Sequence, residues 1–348
     1  KFQYISCLSW LCEYRIFHLV PLDAAAISYA DLAAATGAPE QRLKSILRMA
    51  MTSALFREQP CGTRVAHSAA SALLARDSGV YAYAAYMCAR SAPTAMQMAA
   101  AHRRWGAAST RPNETAYNAA FGTELPFFDH VARDERRVAE FAAYMRNVRS
   151  SEGVDLKHLV AGFAWEDIPD GGVVVDVGGS TGTAAIALAT AFPHLTFIVQ
   201  DLPANAALGR KAAQDSLPPD ILSRLAFQGH DFTCPQPVRG AAVYLLRMIL
   251  HDWPDDVAAR ILRHVVAAMD AESRLLVMDT VLPRPGAGLV SEERIVRARD
   301  LTMMQAFNSG ERELEGWVEL LGRVDGRLEV VGVREPVGSA MAVLEVRV

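Results

Sequence analysis

In "VVVDVGGSTGTAAIALA", residues 173–189, a run of valines meets Asp176, then a turn nearly stripped of side chains, then small residues at helical spacing. The stretch reads as strand, tight turn and helix. The dinucleotide fingerprint G-x-G-x-x-G fails here, because Val177 holds its first position and only Gly179 and Gly182 fit. A diphosphate needs amides and a helix N-terminus and gains nothing from an acid beside it. The ammonium of an amino acid joined to a nucleoside does gain from Asp176, directly or through water. Gly178, Gly179 and Gly182 let the backbone approach such a ligand with no Cβ in the way. Asp201, with Leu202 beside it, follows the next strand, where an acid takes two ribose hydroxyls. Asp231 and Phe232 end the element after that and suit an adenine's amino group and face. The set points to S-adenosylmethionine (SAM), or its product S-adenosylhomocysteine, as cofactor. A further candidate is His251 in "LHDWPDD", just past a strand's carboxyl end, where an imidazole can take a proton near neutral pH.

These residues need a parallel sheet to place them. "VVVDVGG", "LTFIVQDLP", "GAAVYLLRMIL" and "SRLLVMDTVL" are apolar strand-like runs separated by helix-length segments. That alternation predicts a doubly wound α/β sheet with its ligands at the carboxyl ends of the strands. "GRLEVVGVREP" and "GSAMAVLEVRV" read as a closing antiparallel pair. Residues 1–150 have a different texture, rich in Ala, Met, Leu and Arg and without strand alternation. "YADLAAATGAPEQRLKSILRMAMTSALF" holds two helices, with Gly37 closing one and Pro39 opening the next. A short hairpin-like stretch within "FREQPCGTRVAHSAASALLA" follows, completing a winged-helix pattern. Its second helix, from Pro39 on, reads as apolar over most of its surface with few cations. It is therefore read as structural or dimerising rather than DNA-binding, since a phosphate-binding face needs Lys and Arg. The expected division is a helical domain over 1–150 and a cofactor domain over 151–348, joined by a long helix over 136–160.

The bulk numbers agree with two domains. The chain has 348 residues, more than one core comfortably serves. Its 51% hydrophobic and 21% charged content is that of an ordinary globular protein. A net charge of −4 with no basic cluster argues against nucleic acid as a partner. Five cysteines without a CxxC spacing favour reduced thiols in a cytoplasmic protein and no metal site. No apolar run is long enough to span a membrane; no signal-peptide pattern is read in the sequence, which begins at Lys1 rather than Met and so leaves a lost leader open.

The sequence resembles the plant caffeate and hydroxyindole type of SAM-dependent O-methyltransferase, in particular its fungal branch. "VVDVGGSTG", "FIVQDLP", "HDF", "RMILHDWPDD" and "RDLTMMQAFNSGERELEGW" carry the resemblance, which covers nearly the whole chain. It implies a winged-helix-like dimerisation domain ahead of a Rossmann-like SAM domain, and an intertwined homodimer whose partner helices help close the substrate pocket. Two departures stand out: Ser180, where many relatives carry a third glycine, and the short loop "LPRPGAGLVSEER".

Methyl transfer to oxygen requires the acceptor aligned with an activated methyl carbon and its proton removed. By resemblance, His251 of the HDW motif is the base, and its two flanking acids are Asp279, ending "LLVMD", and Glu311, in "SGERE". An acid beside an imidazole fixes its tautomer and stabilises the imidazolium. Arg247 sits where the family places a cation facing the cofactor. Met145 and Met303 match thioethers that clamp a flat acceptor, with core filler as the alternative for either. The expected substrate is a hydroxyl of a small aromatic or polyketide-type secondary metabolite. The resemblance also leaves a second activity open. Several fungal relatives keep this scaffold and bind SAM, yet catalyse dehydration and pericyclic reactions of pyridone polyketides. His130 in "LPFFDH" and the pair Arg299 and Asp300 resemble the residues they use on the substrate.

Overall fold

The computed structural model describes residues 2–23 and 25–348; Lys1, at which the signal-peptide reading begins, and Ala24 lie outside that description. The chain forms two compact units. One takes the residues up to Ala107 together with Ala116–Ser150; the other takes Ala108–Thr115 and Ser151–Val348. Among the described residues no helix is long and apolar enough to cross a membrane.

The first unit is helical around a small winged helix. Strand β1 (Ile27–Ser28) leads into the helices Tyr29–Thr36 and Glu40–Met51, then the hairpin of β2 (Arg57–Glu58) and β3 (Arg64–Ala66). The three strands pair antiparallel in the order β1-β3-β2. The boundaries follow from local chemistry. The Ser28 hydroxyl accepts the Asp31 amide at 3.0 Å, and Gly37 closes that helix with a φ of 71°. The second helix corrects the expectation of a mostly apolar surface. Leu43, Leu47 and Ala50 form one buried stripe, while Gln41, Arg42, Ser45 and Arg48 are exposed. Two of its cations are already engaged, Lys44 with Glu40 at 2.6 Å and Arg48 with Glu58 at 3.0 Å. The long helix expected over 136–160 is likewise shorter. It spans Glu135–Arg149, and a 3-10 turn, Glu152–Val154, separates it from a new helix, Leu156–Ala161. The break comes where Asp155 turns its carboxylate to the Lys157 amide at 2.8 Å and caps the new helix.

The second unit contains β4 (Val173–Val177), β5 (Thr196–Asp201), β6 (Leu225–Gly229), β7 (Val243–Arg247) and β8 (Arg274–Asp279). The short β9 (Val281–Leu282) and β10 (Arg312–Glu313) form a separate parallel pair, and β11 (Glu329–Arg334) and β12 (Ala342–Arg347) follow. The large sheet runs β11-β12-β8-β7-β4-β5-β6. Strands β4 to β8 are parallel, and β12 lies antiparallel between β8 and β11, as the C-terminal pattern predicts. Because β5 lies on one side of β4 and β7 on the other, the strand order reverses at β4. In open α/β sheets ligands bind outside the carboxyl ends of the strands beside such a reversal. Alternation builds the core on both faces. Val174, Phe197 and Leu245 pack with Leu188 and Trp165, while Val175, Val177 and Leu246 pack with Ile261, Leu262 and Trp317.

Candidate active site

The turn after β4 is held in an unusual backbone path. Gly178 and Gly182 have φ values of 74° and 82°, a region that costs L residues energy and glycine almost none. Gly179 is required for space, because a Cβ there would stand 2.4 Å from Asp176 Oδ2. Ser180 also lies in the left-handed region, at φ 55°, where a glycine would be unstrained. Its amide donates to Asp201 Oδ2 at 2.8 Å, so the acid at the end of β5 holds the strained residue in place. The other oxygen of Asp201 accepts the Leu202 amide and Asn205 Nδ2, each at 2.8 Å. Leu202 is left 54% exposed beside it.

Asp231 receives the amide and hydroxyl of Thr233 at 2.8 and 2.7 Å, and these bonds hold its carboxyl below the usual range. Phe232 stands edge-on to Trp253, with ring centres 5.8 Å apart, and borders Gly178. Arg247, at the end of β7, donates to the Val154 carbonyl. Sequence reasoning missed a buried amide cluster beneath this region. Gln200 pairs reciprocally with Gln236 at 2.7 Å and reaches Gln228 at 2.8 Å, tying β5 to β6 and to the segment after Asp231.

Past β7 the chain makes the 3-10 turn Leu250–Asp252, which buries His251 to 9% exposure. Its Nδ1 lies 3.0 Å from Glu311 Oε1 and 3.7 Å from Asp279 Oδ1; its Nε2 lies 3.6 Å from Asp252 Oδ1. Asp279 is the last residue of β8 and is fully buried. Burial opposes a charge on His251, yet Asp279, Asp252 and the hydrogen-bonded Glu311 outweigh it and hold its pKa up at about 10. Burial also pushes Asp279 up to about 7 and Asp252 up to about 6. One imidazole thus holds three carboxyls together, and a proton arriving on the ring is stabilised on both sides.

Sequence reasoning named two of these acids and missed Asp252, although the HDW motif contains it. It also missed the residues that fix the backbone. The Ser309 hydroxyl donates to the His251 carbonyl at 2.6 Å. Arg312, 8% exposed, donates to the Leu250 and Trp253 carbonyls at 3.0 and 2.9 Å and to Asp255 at 2.9 Å.

A model of the O-methyltransferase domain matches residues 105–325, and one of the O-methyltransferase dimerisation domain matches residues 1–77. The O-methyltransferase pgmB of Aspergillus terreus is 66% identical over 348 residues, 100% of this chain and 97% of that protein. The chain belongs to the family of SAM-dependent O-methyltransferases. Among solved structures, that of LepI with SAM covers 99% of this methyltransferase and 86% of its own chain, at 27% identity and a TM-score of 0.78. A structure titled as a pericyclic reaction enzyme covers 98% and 85%, at 27% identity and a TM-score of 0.77.

The remaining site candidates of the methyltransferase fall in both units. In the first, His130 lies on the helix Phe127–Ala132 with its Nδ1 2.8 Å from the Tyr117 hydroxyl. Burial and the cations Arg137 and Arg90 hold its pKa down. Met145 is partly buried on the helix Glu135–Arg149. In the second unit, Arg299, Asp300 and Met303 are half-buried on the helix Val290–Phe307. Asp300 is engaged there, its Oδ1 accepting the Glu311 amide at 3.0 Å.

Proposed function

We propose that this methyltransferase acts on a hydroxyl of a small aromatic or polyketide-type secondary metabolite, with His251 as general base and Asp279 and Glu311 as its supports. The bond between His251 Nδ1 and Glu311 Oε1 carries the reading. In the neutral ring, whose share rises with pH, it fixes the proton on Nδ1 and leaves Nε2 as the nitrogen that takes a proton from the acceptor oxygen. The buried acids then hold the imidazolium. Met303, Arg299, Met145 and His130 are each proposed as an acceptor contact.

The donor set fits SAM. Acids stand at or just past the carboxyl ends of three adjacent strands, Asp176 on β4, Asp201 ending β5 and Asp231 after β6, around a turn whose shape leaves the backbone bare. Asp176 would face the ammonium, Asp201 the ribose hydroxyls, and Asp231 with Phe232 and Leu202 the adenine, over Gly178, Gly179 and Gly182. Arg247 borders that site from the end of β7. The cofactor supplies a methyl group already activated by its sulfonium. The residues of this chain align the acceptor oxygen, exclude water and remove its proton. The family's dimerisation domain supports a homodimer held by the helical unit. The intact base cluster and 66% identity to a named O-methyltransferase favour transfer over a pericyclic reaction.

The test is product mass after incubation with SAM and a panel of polyketide phenols and pyridone alcohols. A gain of one methyl group is expected. Loss of water, or an unchanged mass with a new ring, would overturn the reading.

A further inference from the structure

Asp300 stands eleven positions before Glu311, on a different element, yet it grips the main chain of the turn that carries that acid. Its Oδ1 accepts the Glu311 amide at 3.0 Å. The preceding Gly310 makes this approach possible, since a Cβ there would stand 3.0 Å from the same oxygen. The rest of the turn is fixed at other points. Asn308 ends the helix Val290–Phe307 at φ 52°, and its side-chain amide donates to the Arg111 and Glu114 carbonyls at 2.9 and 3.3 Å. Ser309 and Arg312 bond to backbone carbonyls of the segment 250–253. Glu311 is therefore held on one side by the segment that contains His251. On the other side Asp300 holds it to the helix that carries Arg299 and Met303.

We propose that Asp300 is a positioning residue, which sets the Glu311 carboxylate against His251 Nδ1 by holding the Glu311 amide. Its consequence for catalysis rests on His251 being the base: a shift of the Val290–Phe307 helix on acceptor contact is passed to the base through one hydrogen bond. An acceptor atom is all the role needs. An asparagine at position 300 supplies one through its side-chain oxygen, and an alanine does not. This separates the role from direct charge recognition of a substrate.

The effect is read on the imidazole. His251 is faced by Glu311 from the turn, Asp279 from β8 and Asp252 from its own segment; Asp300 is faced by Glu311 and Arg297. Loosening Glu311 weakens one of three influences that raise the imidazole pKa, so the titration midpoint falls. The experiment is NMR titration of the full-length protein labelled with ¹⁵N-histidine and saturated with S-adenosylhomocysteine, with the His251 signal identified by its loss in His251→Gln. Asp300→Ala should lower the midpoint by about one pH unit, the lower end of what a close opposite charge contributes. Asp300→Asn should keep it close to wild type. Gly310→Ala, which crowds Asp300 away from the amide, should move it in the same direction as Asp300→Ala. The proposal is overturned if Asp300→Asn falls as far as Asp300→Ala, because charge alone would then explain both. It is equally overturned if neither Asp300→Ala nor Gly310→Ala moves the midpoint. Should Asp300→Ala fail to fold, Gly310→Ala against Asp300→Asn decides the question. None of these readings depends on turnover, so a wrong assignment of the base would appear separately, as activity retained by His251→Ala.

Discussion

His251 Nδ1 lies 3.0 Å from Glu311 Oε1, in a pocket where the imidazole also faces Asp279 and Asp252. A histidine pKa held up at about 10 means that the neutral, proton-accepting ring becomes more abundant as pH rises. The rate should therefore climb across neutral and mildly alkaline pH. Glu311→Gln removes one negative charge that favours the imidazolium. The midpoint of the pH–rate profile should move to lower pH, and the plateau should fall roughly 10- to 100-fold as the tautomer loses its anchor. A profile of unmoved midpoint, measured by transfer of labelled methyl to a phenolic acceptor, would leave Glu311 without an electrostatic part.

Asp201 holds the Ser180 amide and is proposed to take the ribose hydroxyls, and each role has its own variant. Asp201→Ala should weaken S-adenosylhomocysteine binding at least tenfold, about 1.4 kcal/mol, through loss of charged hydrogen bonds to the ribose. The same change releases the Ser180 amide, which Asp201 now holds at 2.8 Å. Ser180→Gly relieves the left-handed strain without touching the acid and should leave the affinity unchanged. Calorimetry on both variants checks this. An Asp201→Ala protein with wild-type affinity would refute the ribose assignment.

The helical unit leaves large apolar side chains at its surface, among them Phe2 at 73%, Leu73 at 50% and Met96 at 78% exposed. Such surface is costly in a free monomer, and burying it drives association. Light scattering at micromolar concentration should give twice the chain's 37.8 kDa mass, roughly 76 kDa for a dimer. A monomer at that concentration would count decisively against a dimer built on this unit.

Most of the glycine turn after β4 was legible because its constraints are spelled locally. Glycines at the left-handed positions and an acid at a strand's end identify themselves by residue type and spacing. His251 was legible from its place after a strand, and Asp279 and Glu311 from the family's pattern. What escaped depends on how the chain folds back. Asp252 reaches Nε2 only because Leu250–Asp252 turns tightly, and Asp300 meets Glu311 only because Asn308 reverses the chain. Sequence reading paired Asp300 with Arg299 as a substrate contact and had no way to see its hydrogen bond to the turn. Strand β6 did not stand among the apolar runs because its residues are largely half-exposed, with Phe227 alone buried. The helix Glu40–Met51 looked apolar over most of its surface in one dimension. Its cations fall on the outer face once wound, where two of them meet Glu40 and Glu58.

His251 and His130 separate transfer from a pericyclic reaction. If oxygen methylation is the reaction, His251→Ala removes the proton acceptor and should cost about 10²- to 10⁴-fold in rate. His130, whose Nδ1 is paired with the Tyr117 hydroxyl, should then act on acceptor binding, so His130→Ala raises KM and lowers kcat little. A pericyclic reaction transfers no methyl group to an oxygen and so has no acceptor proton for His251 to remove. His251→Ala should in that case retain most activity, while His130→Ala and Arg299→Ala each lose a donor aimed at the substrate's carbonyl. SAM would still be needed, but its methyl would remain on sulfur after many turnovers. The base cluster predicts the first pattern, because three carboxyls around one imidazole, Asp279 and Glu311 buried and Asp252 partly so, raise its proton affinity and a pericyclic step does not use that. Kinetics of the three variants, with the SAM balance followed by mass, decide between them. Stoichiometric survival of SAM beside a fully active His251→Ala protein would overturn the assignment of the base and of the reaction together.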